Sequence, residues 1–112
     1  MRLSPWLLAL AALAPPVGAA DAPPAKPGGK ALYVTHCSQC HGRDGKARPD
    51  YAKKGAVDLN DPDWQKARSD AEIHDVIVKG SKGTLMESFK DKLSAAEIDA
   101  VVAHVRTLKP RP

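Results

Sequence analysis

Cys37-Ser38-Gln39-Cys40-His41 sets two thiols three residues apart and an imidazole directly after the second. On a helix, positions 37, 40 and 41 share one face, so two thioether bonds and one iron ligand can address a single flat porphyrin. The stretch therefore reads as a covalent attachment site for one haem c, with Cys37 and Cys40 as the bonded thiols and His41 as an axial ligand of the iron.

Upstream of this site the chain begins as an export leader would. Arg2 supplies a positive start, Trp6 to Ala14 form an apolar run of nine residues, and Val17-Gly18-Ala19-Ala20 offers small residues for cleavage near Ala20. Nine apolar residues followed by Pro15-Pro16 fall well short of the ~20 needed to span a bilayer. Residues 1–20 thus read as a cleaved signal peptide, with no stable membrane insertion and a periplasmic destination. That compartment suits the motif, because haem is attached outside the cytoplasm and a bare thiol pair there tends to oxidise.

Ninety-two residues remain after such a cleavage, enough for one small domain. Its aromatic residues are Tyr33, Tyr51, Trp64 and Phe89, too few to fill a core without help, so a porphyrin is expected to complete the interior. Sixteen Lys and Arg stand against thirteen Asp and Glu in this part, a scattered and mild excess. It argues against nucleic acid and leaves room for attraction to a redox partner protein with an acidic docking surface. A monomer is expected.

Asp21 to Gly29, rich in proline and glycine, reads as a tether, and residues 30–109 as the folded domain. Tyr33, Val34, Cys37, Cys40 and His41 recur at helical spacing, which predicts a first helix that runs through the motif and stops at Gly42. Arg43 to Asn60 has no sustained period and reads as loop. Asp61-Pro62 opens a short helix carrying Trp64. Ser69-Asp70-Ala71-Glu72 and Ser94-Ala95-Ala96-Glu97 both have capping-box spacing. The first starts a helix with Ile73, Val76 and Ile77 on its apolar face, ending at Gly80. The second starts one with Ile98, Val101, Val102, Val105 and Leu108, ending before Pro110. The expectation is an all-α domain of three main helices and a short one.

His41 fills one axial position of a haem iron and the other is open to Met86, His36, His74 or His104. Met86 lies forty-five residues after the motif in a glycine-bearing loop, which supplies both reach and a soft sulfur ligand. His36 adjoins Cys37 and is expected to point away from the motif face; His74 and His104 lie on helices, where packing or solvent roles are expected. The second nitrogen of His41 needs a carbonyl partner, for which Pro49 or a neighbour in the following loop is in reach. Leu59, Trp64, Ile77 and Phe89 are expected to pack on the haem, and Arg68 to face water.

The Gly29-x-x-x-Tyr33-x-x-x-Cys37-x-x-Cys40-His41-Gly42 frame, the Met86 loop with Phe89, and the Leu93-Ser94-x-x-Glu97-Ile98 helix start resemble those of a small class I c-type cytochrome. The resemblance covers about residues 29–109. It implies the class I cytochrome c fold, with the first and last helices crossing near Gly29 and Tyr33 and the haem held edge-outward between helices and loops. Two positions depart from the family's habit. Glu87 stands where proline often follows the ligand methionine, and His104 where the last helix often carries an aromatic.

An iron closed by two protein ligands offers no site for substrate, so the expected function is one-electron transfer by a soluble carrier, not an enzyme. Lys46, Lys53, Lys54, Lys79 and Lys82 are available to ring the haem edge. The alternatives are a haem enzyme or gas sensor in which Met86 is displaced, and a haem-free thiol pair or zinc site built on Cys37, Cys40 and His41.

Overall fold

The computed structural model describes residues 28–110. The leader, its cleavage near Ala20 and the tether up to residue 27 lie outside the described residues. Within them the structure is helical, and no strand occurs. The elements are α1 (Gly29–His36), α2 (Ser38–His41), α3 (Pro49–Ala52), α4 (Pro62–Ala67), α5 (Asp70–Lys79) and α6 (Ala95–Val105). None is long and apolar enough to cross a membrane.

Three helices start where their sequence signals stand. The Ser69 hydroxyl accepts from the Glu72 N–H at 3.1 Å and the Glu72 carboxylate accepts from the Ser69 N–H at 3.0 Å, which satisfies two N–H groups that a helix start leaves open. Ser94 and Glu97 repeat the arrangement at 3.1 and 2.9 Å. Asp61 accepts from the Asp63 N–H at 2.9 Å, with Pro62 at the first helical position of α4.

Two elements differ from expectation. The first helix is interrupted at Cys37, whose backbone departs from ideal helix at φ −118° and ψ −31°. Its carbonyl accepts from both Cys40 N–H (3.2 Å) and His41 N–H (3.0 Å), so α2 continues the path of α1 after a kink. The stretch read as loop also contains the single turn α3, begun by Pro49 at its first position.

The core lies between α1, α5 and α6. Ile98, Val101, Val102 and Val105 form the inner face of α6, each at most 5% exposed, and Ile73 and Ile77 face them from α5. Burying such a side chain contributes roughly 1.5–3 kcal/mol. Leu32 and the fully buried Tyr33 complete the contact from α1. The Tyr33 hydroxyl donates to the Gly42 carbonyl at 2.7 Å and so ties α1 to the end of the motif turn. Its pKa is raised well above the tyrosine range, first by burial and then by the Cys37 and Asp44 charges. Leu108, beyond the end of α6, still packs into the core.

Candidate haem site

The cysteine-histidine turn, the 55–59 loop, the inner face of α5 and the Met86 loop surround one cavity of about 450 Å³. Its wall includes Cys37, Cys40, His41 and Met86, together with Leu59, Trp64, Ile77 and Phe89. Residues spread from 37 to 89 in the chain thus meet at one place. Val57, Val76 and Leu85, the large apolar side chains exposed among the described residues at 44%, 37% and 59%, all stand on this same wall. Apolar side chains gathered around one opening mark a site for an apolar ligand. The Cys37 and Cys40 thiols, the His41 imidazole and the Met86 thioether on a predominantly apolar wall are the donor set that a covalently bound porphyrin requires, so the residues present fit a haem c.

His41 could hold a metal through Nε2. Its Nδ1 lies 3.0 Å from the Val57 carbonyl. A carbonyl only accepts, so Nδ1 carries the proton and Nε2 keeps its lone pair for a metal. Burial holds the His41 pKa below the usual histidine value, outweighing the Val57 carbonyl and the Asp58 charge, which act in the opposite direction. A neutral imidazole is the ligating form. The partner is Val57, not Pro49, because 56–59 folds back over 45–47. Leu59 N–H donates to the Gly45 carbonyl at 2.7 Å and Ala47 N–H to the Asp58 carboxylate at 2.8 Å. Pro49 is occupied in starting α3.

The Cys37 thiol is pushed up to about 11, first by burial and then by the neighbouring Cys40. A neutral thiol of this kind differs from the acidic thiolate on which dithiol redox proteins rely. Nor does any group of three His, Cys, Asp or Glu residues among the described residues come together as a metal-ion site.

Met86 is half-buried and packs against the core cluster. Its loop is tied to the end of α5. Phe89 N–H donates to the Ile77 carbonyl at 2.9 Å, Ser88 Oγ to the Val78 carbonyl at 2.5 Å, and Ser81 N–H to the Met86 carbonyl at 3.0 Å. Gly80 makes this return possible: its φ is +76°, and a Cβ there would meet the Met86, Glu87 and Ser88 backbone at 2.9 Å. Glu87, at the position where the family often has proline, pairs its carboxylate with Lys92 at 2.9 Å.

His36 is not directed away from the site. It lines the cavity and meets the Phe89 ring edge-on at 5.8 Å, because the kink at Cys37 breaks the continuous helix on which it would have pointed elsewhere. His104 takes an aromatic's place in the α1–α6 crossing, with its ring tilted against Tyr33 at 5.1 Å. His74 pairs with Asp99 at 3.3 Å, linking α5 to α6. Trp64 is half-buried on the cavity wall. Arg68 is not wholly given to water: it reaches the same wall while keeping a 3.8 Å ion pair with Glu72. Val101, Val105 and Thr84 also line the cavity and carried no sequence signal for that role.

The cbb3-type cytochrome c oxidase subunit III family matches residues 24–105. The cbb3-type cytochrome c oxidase subunit FixPc of Rhizobium leguminosarum bv. viciae is 32% identical over 89 residues, which cover 76% of this chain and 30% of that protein. Subunit FixP of Sinorhizobium medicae (strain WSM419) is 29% identical over 92 residues, again 30% of its length. The chain therefore spans under a third of the curated relatives it matches. Among solved structures, the KustC0563 c-type cytochrome is similar with a TM-score of 0.70 and 37% identity, over 75% of this chain and 100% of that one. A mutant of the same cytochrome gives 0.68 and 36% over 74% and 100%.

Proposed function

Because the chain belongs to the cbb3-type cytochrome c oxidase subunit III family, as a small class I c-type cytochrome with a covalently bound haem c, we propose that it is a one-electron carrier whose iron is held between His41 and Met86. The observation that carries this reading is the single cavity that has Cys37, Cys40, His41 and Met86 together on its wall. When bound there, haem supplies a ferric/ferrous couple, and thioether ligation favours the ferrous form relative to two imidazoles. Cys37 and Cys40 would anchor the macrocycle through thioether bonds. His41 would bind through Nε2 while the Val57 carbonyl fixes its ring. Met86 would supply a thioether ligand from a loop already tied to α5. Leu59, Trp64, Ile77 and Phe89 would exclude water from the macrocycle. His41, fixed by the Val57 carbonyl, and Met86, held by the backbone contacts of its own loop, would have little need to move on a change of charge.

Electrons would pass at the cavity mouth, where the two flanking loops meet: a Cβ on Gly55 would lie 4.0 Å from the Thr84 methyl. Lys54 stands on the cavity wall, with Lys53 and Lys82 on the same two loops. Among the described residues no carboxylate pairs with these three, whereas Lys79 is engaged by Asp75 at 3.1 Å. Lysines without a carboxylate partner among the described residues, Lys54 with its ammonium over the Tyr51 ring, stand beside the exposed Val57 and Leu85 and suit a redox partner with an acidic rim and an apolar centre. The same reading places the carrier in the periplasm as a soluble monomer.

The deciding experiment is an optical and mass measurement on protein matured in a competent periplasm. The expected results are the added mass of one covalent haem and a weak sulfur-to-iron charge-transfer band near the red end of the ferric spectrum, lost in Met86→Ala. A high-spin ferric spectrum in the unmodified protein would replace the carrier with a haem enzyme or sensor, and a colourless product would remove the cofactor from this chain.

A further inference from the structure

The Met86 loop contains one hydroxyl that makes two hydrogen bonds at once. Thr84 Oγ1 donates to the Ser81 carbonyl at 2.8 Å and accepts from the Met86 N–H at 3.1 Å. The same Ser81 carbonyl accepts from the Thr84 N–H at 3.2 Å, closing a turn over 81–84 with Gly83 at φ +80°. Ser81 N–H in turn donates to the Met86 carbonyl at 3.0 Å. Both main-chain polar groups of Met86 are thereby held by residues of its own loop, one by a backbone group and one by a side chain. Met86 sits only two residues beyond Thr84 and the chain between them, through Leu85, is exposed. Leu85 stands on the cavity wall but is 59% exposed, so this stretch is held chiefly by two hydrogen bonds. The Met86 N–H donates to the Thr84 hydroxyl and the Ser81 N–H to the Met86 carbonyl, and the first of these is the one made by a side chain.

We infer that Thr84 is a positioning residue for the sixth iron ligand: its hydroxyl holds the Met86 backbone so that the sulfur stays on the iron and small external ligands are kept off. This rests on the Met86 ligation proposed above. The inference separates two features of one side chain. The hydroxyl acts on Met86, whereas the methyl reaches across the cavity mouth towards Gly55. Thr84→Val keeps the methyl and removes both hydrogen bonds; Thr84→Ser keeps the hydroxyl and removes the methyl. The valine change leaves the Met86 N–H without its partner and shifts the balance between ligated and displaced sulfur. A hydrogen bond of ordinary net strength corresponds to about a tenfold change in that balance.

The test titrates the ferric holoprotein with imidazole, which competes with the thioether, and follows the charge-transfer band alongside the urea midpoint. The expected result is imidazole affinity about tenfold higher in Thr84→Val at a nearly unchanged midpoint, with Thr84→Ser within about twofold of the unmodified protein. Equal affinity in Thr84→Val and the unmodified protein would overturn the inference while the band leaves Met86 as ligand. So would a Thr84→Ser that behaves like Thr84→Val, or an affinity gain matched by a general loss of stability. An unmodified protein with no such band, and with the same imidazole affinity as Met86→Ala, would instead overturn the ligation reading and the inference with it.

Discussion

Gly29 approaches α6 so closely that a Cβ on it would lie 2.0 Å from the carbonyl oxygen of Ala100 and 2.6 Å from its carbonyl carbon. Both are backbone atoms inside a helix, so neither can turn aside as a side chain end would. One turn further along α1, Tyr33 packs against His104, and the two contacts fix the α1–α6 crossing. Gly29→Ala is expected to destabilise the protein by about 3 kcal/mol, read as a lower urea midpoint of the ferric form. A midpoint equal to that of the unmodified chain would mean the helices can part at that point without loss.

His104 makes the same crossing sensitive to acid. Burial first, and then Lys30, hold its pKa below the usual histidine value. A depressed folded value means that the unfolded chain takes up the proton first as pH falls. This contribution to stability is therefore complete above about pH 6.5 and declines as pH drops towards the folded value. His104→Phe keeps a ring against Tyr33 and cannot titrate. Thermal melts between about pH 7 and about pH 5 should show a shallower loss of Tm in the variant, and parallel slopes would assign the acid loss to other groups.

Helix starts were legible in the sequence because their signals are local: Asp61, Ser69 and Ser94 each cap N–H groups within three residues. The apolar stripes of α5 and α6 were legible for the same reason. Of the residues on the cavity wall, Cys37, Cys40, His41, Leu59, Trp64, Ile77, Met86 and Phe89 were assigned to the site from the sequence, whereas His36, Thr84, Val101 and Val105 were not. What escaped was main-chain geometry. The kink at Cys37 turns His36 towards Phe89, and the partner of His41 is a carbonyl sixteen residues away. A carbonyl has no letter of its own in a sequence, and Val57 reaches His41 only because Asp58 and Leu59 pin the loop to 45–47. Thr84 and Arg106 escaped for a related reason, since both act largely on backbone atoms.

Arg106 joins the end of α6 to the segment between α4 and α5. Its Nε pairs with the Asp70 carboxylate at 2.6 Å, Nη1 donates to the Gln65 carbonyl at 2.6 Å and to the Gln65 side-chain oxygen at 2.9 Å, and Nη2 donates to the Arg68 carbonyl. Gln65 in turn donates to the Leu59 and Val105 carbonyls at 2.6 and 3.0 Å, so the network reaches the cavity wall at Leu59. Arg106→Ala should cost about 2 kcal/mol, because the backbone carbonyls lose charge-assisted donors. Arg106→Lys keeps the charge without the planar fork and should recover less than half of the loss. Full recovery by lysine in urea denaturation would show that charge alone suffices.

Lys53, Lys54 and Lys82 stand on the two loops at the cavity mouth, and none of them forms an ion pair with a carboxylate of the described residues. An anionic oxidant is drawn to such lysines over roughly a Debye length, about 10 Å at 0.1 M salt. Reversing the three charges together, with the matched reversal of Lys66, Lys90 and Lys109, none of which lies on the cavity wall, as the control, separates local steering from net charge. Oxidation of the ferrous protein by hexacyanoferrate(III) at low ionic strength should slow by about tenfold in the cavity-mouth variant, and by much less in the control. The two rates should converge as salt is raised, because screening removes steering but leaves the intrinsic exchange rate. A cationic cobalt(III) oxidant should show the opposite order. Equal slowing in the control and in the cavity-mouth variant would mean that net charge alone acts, and that electrons do not leave between the 53–57 and 81–86 loops.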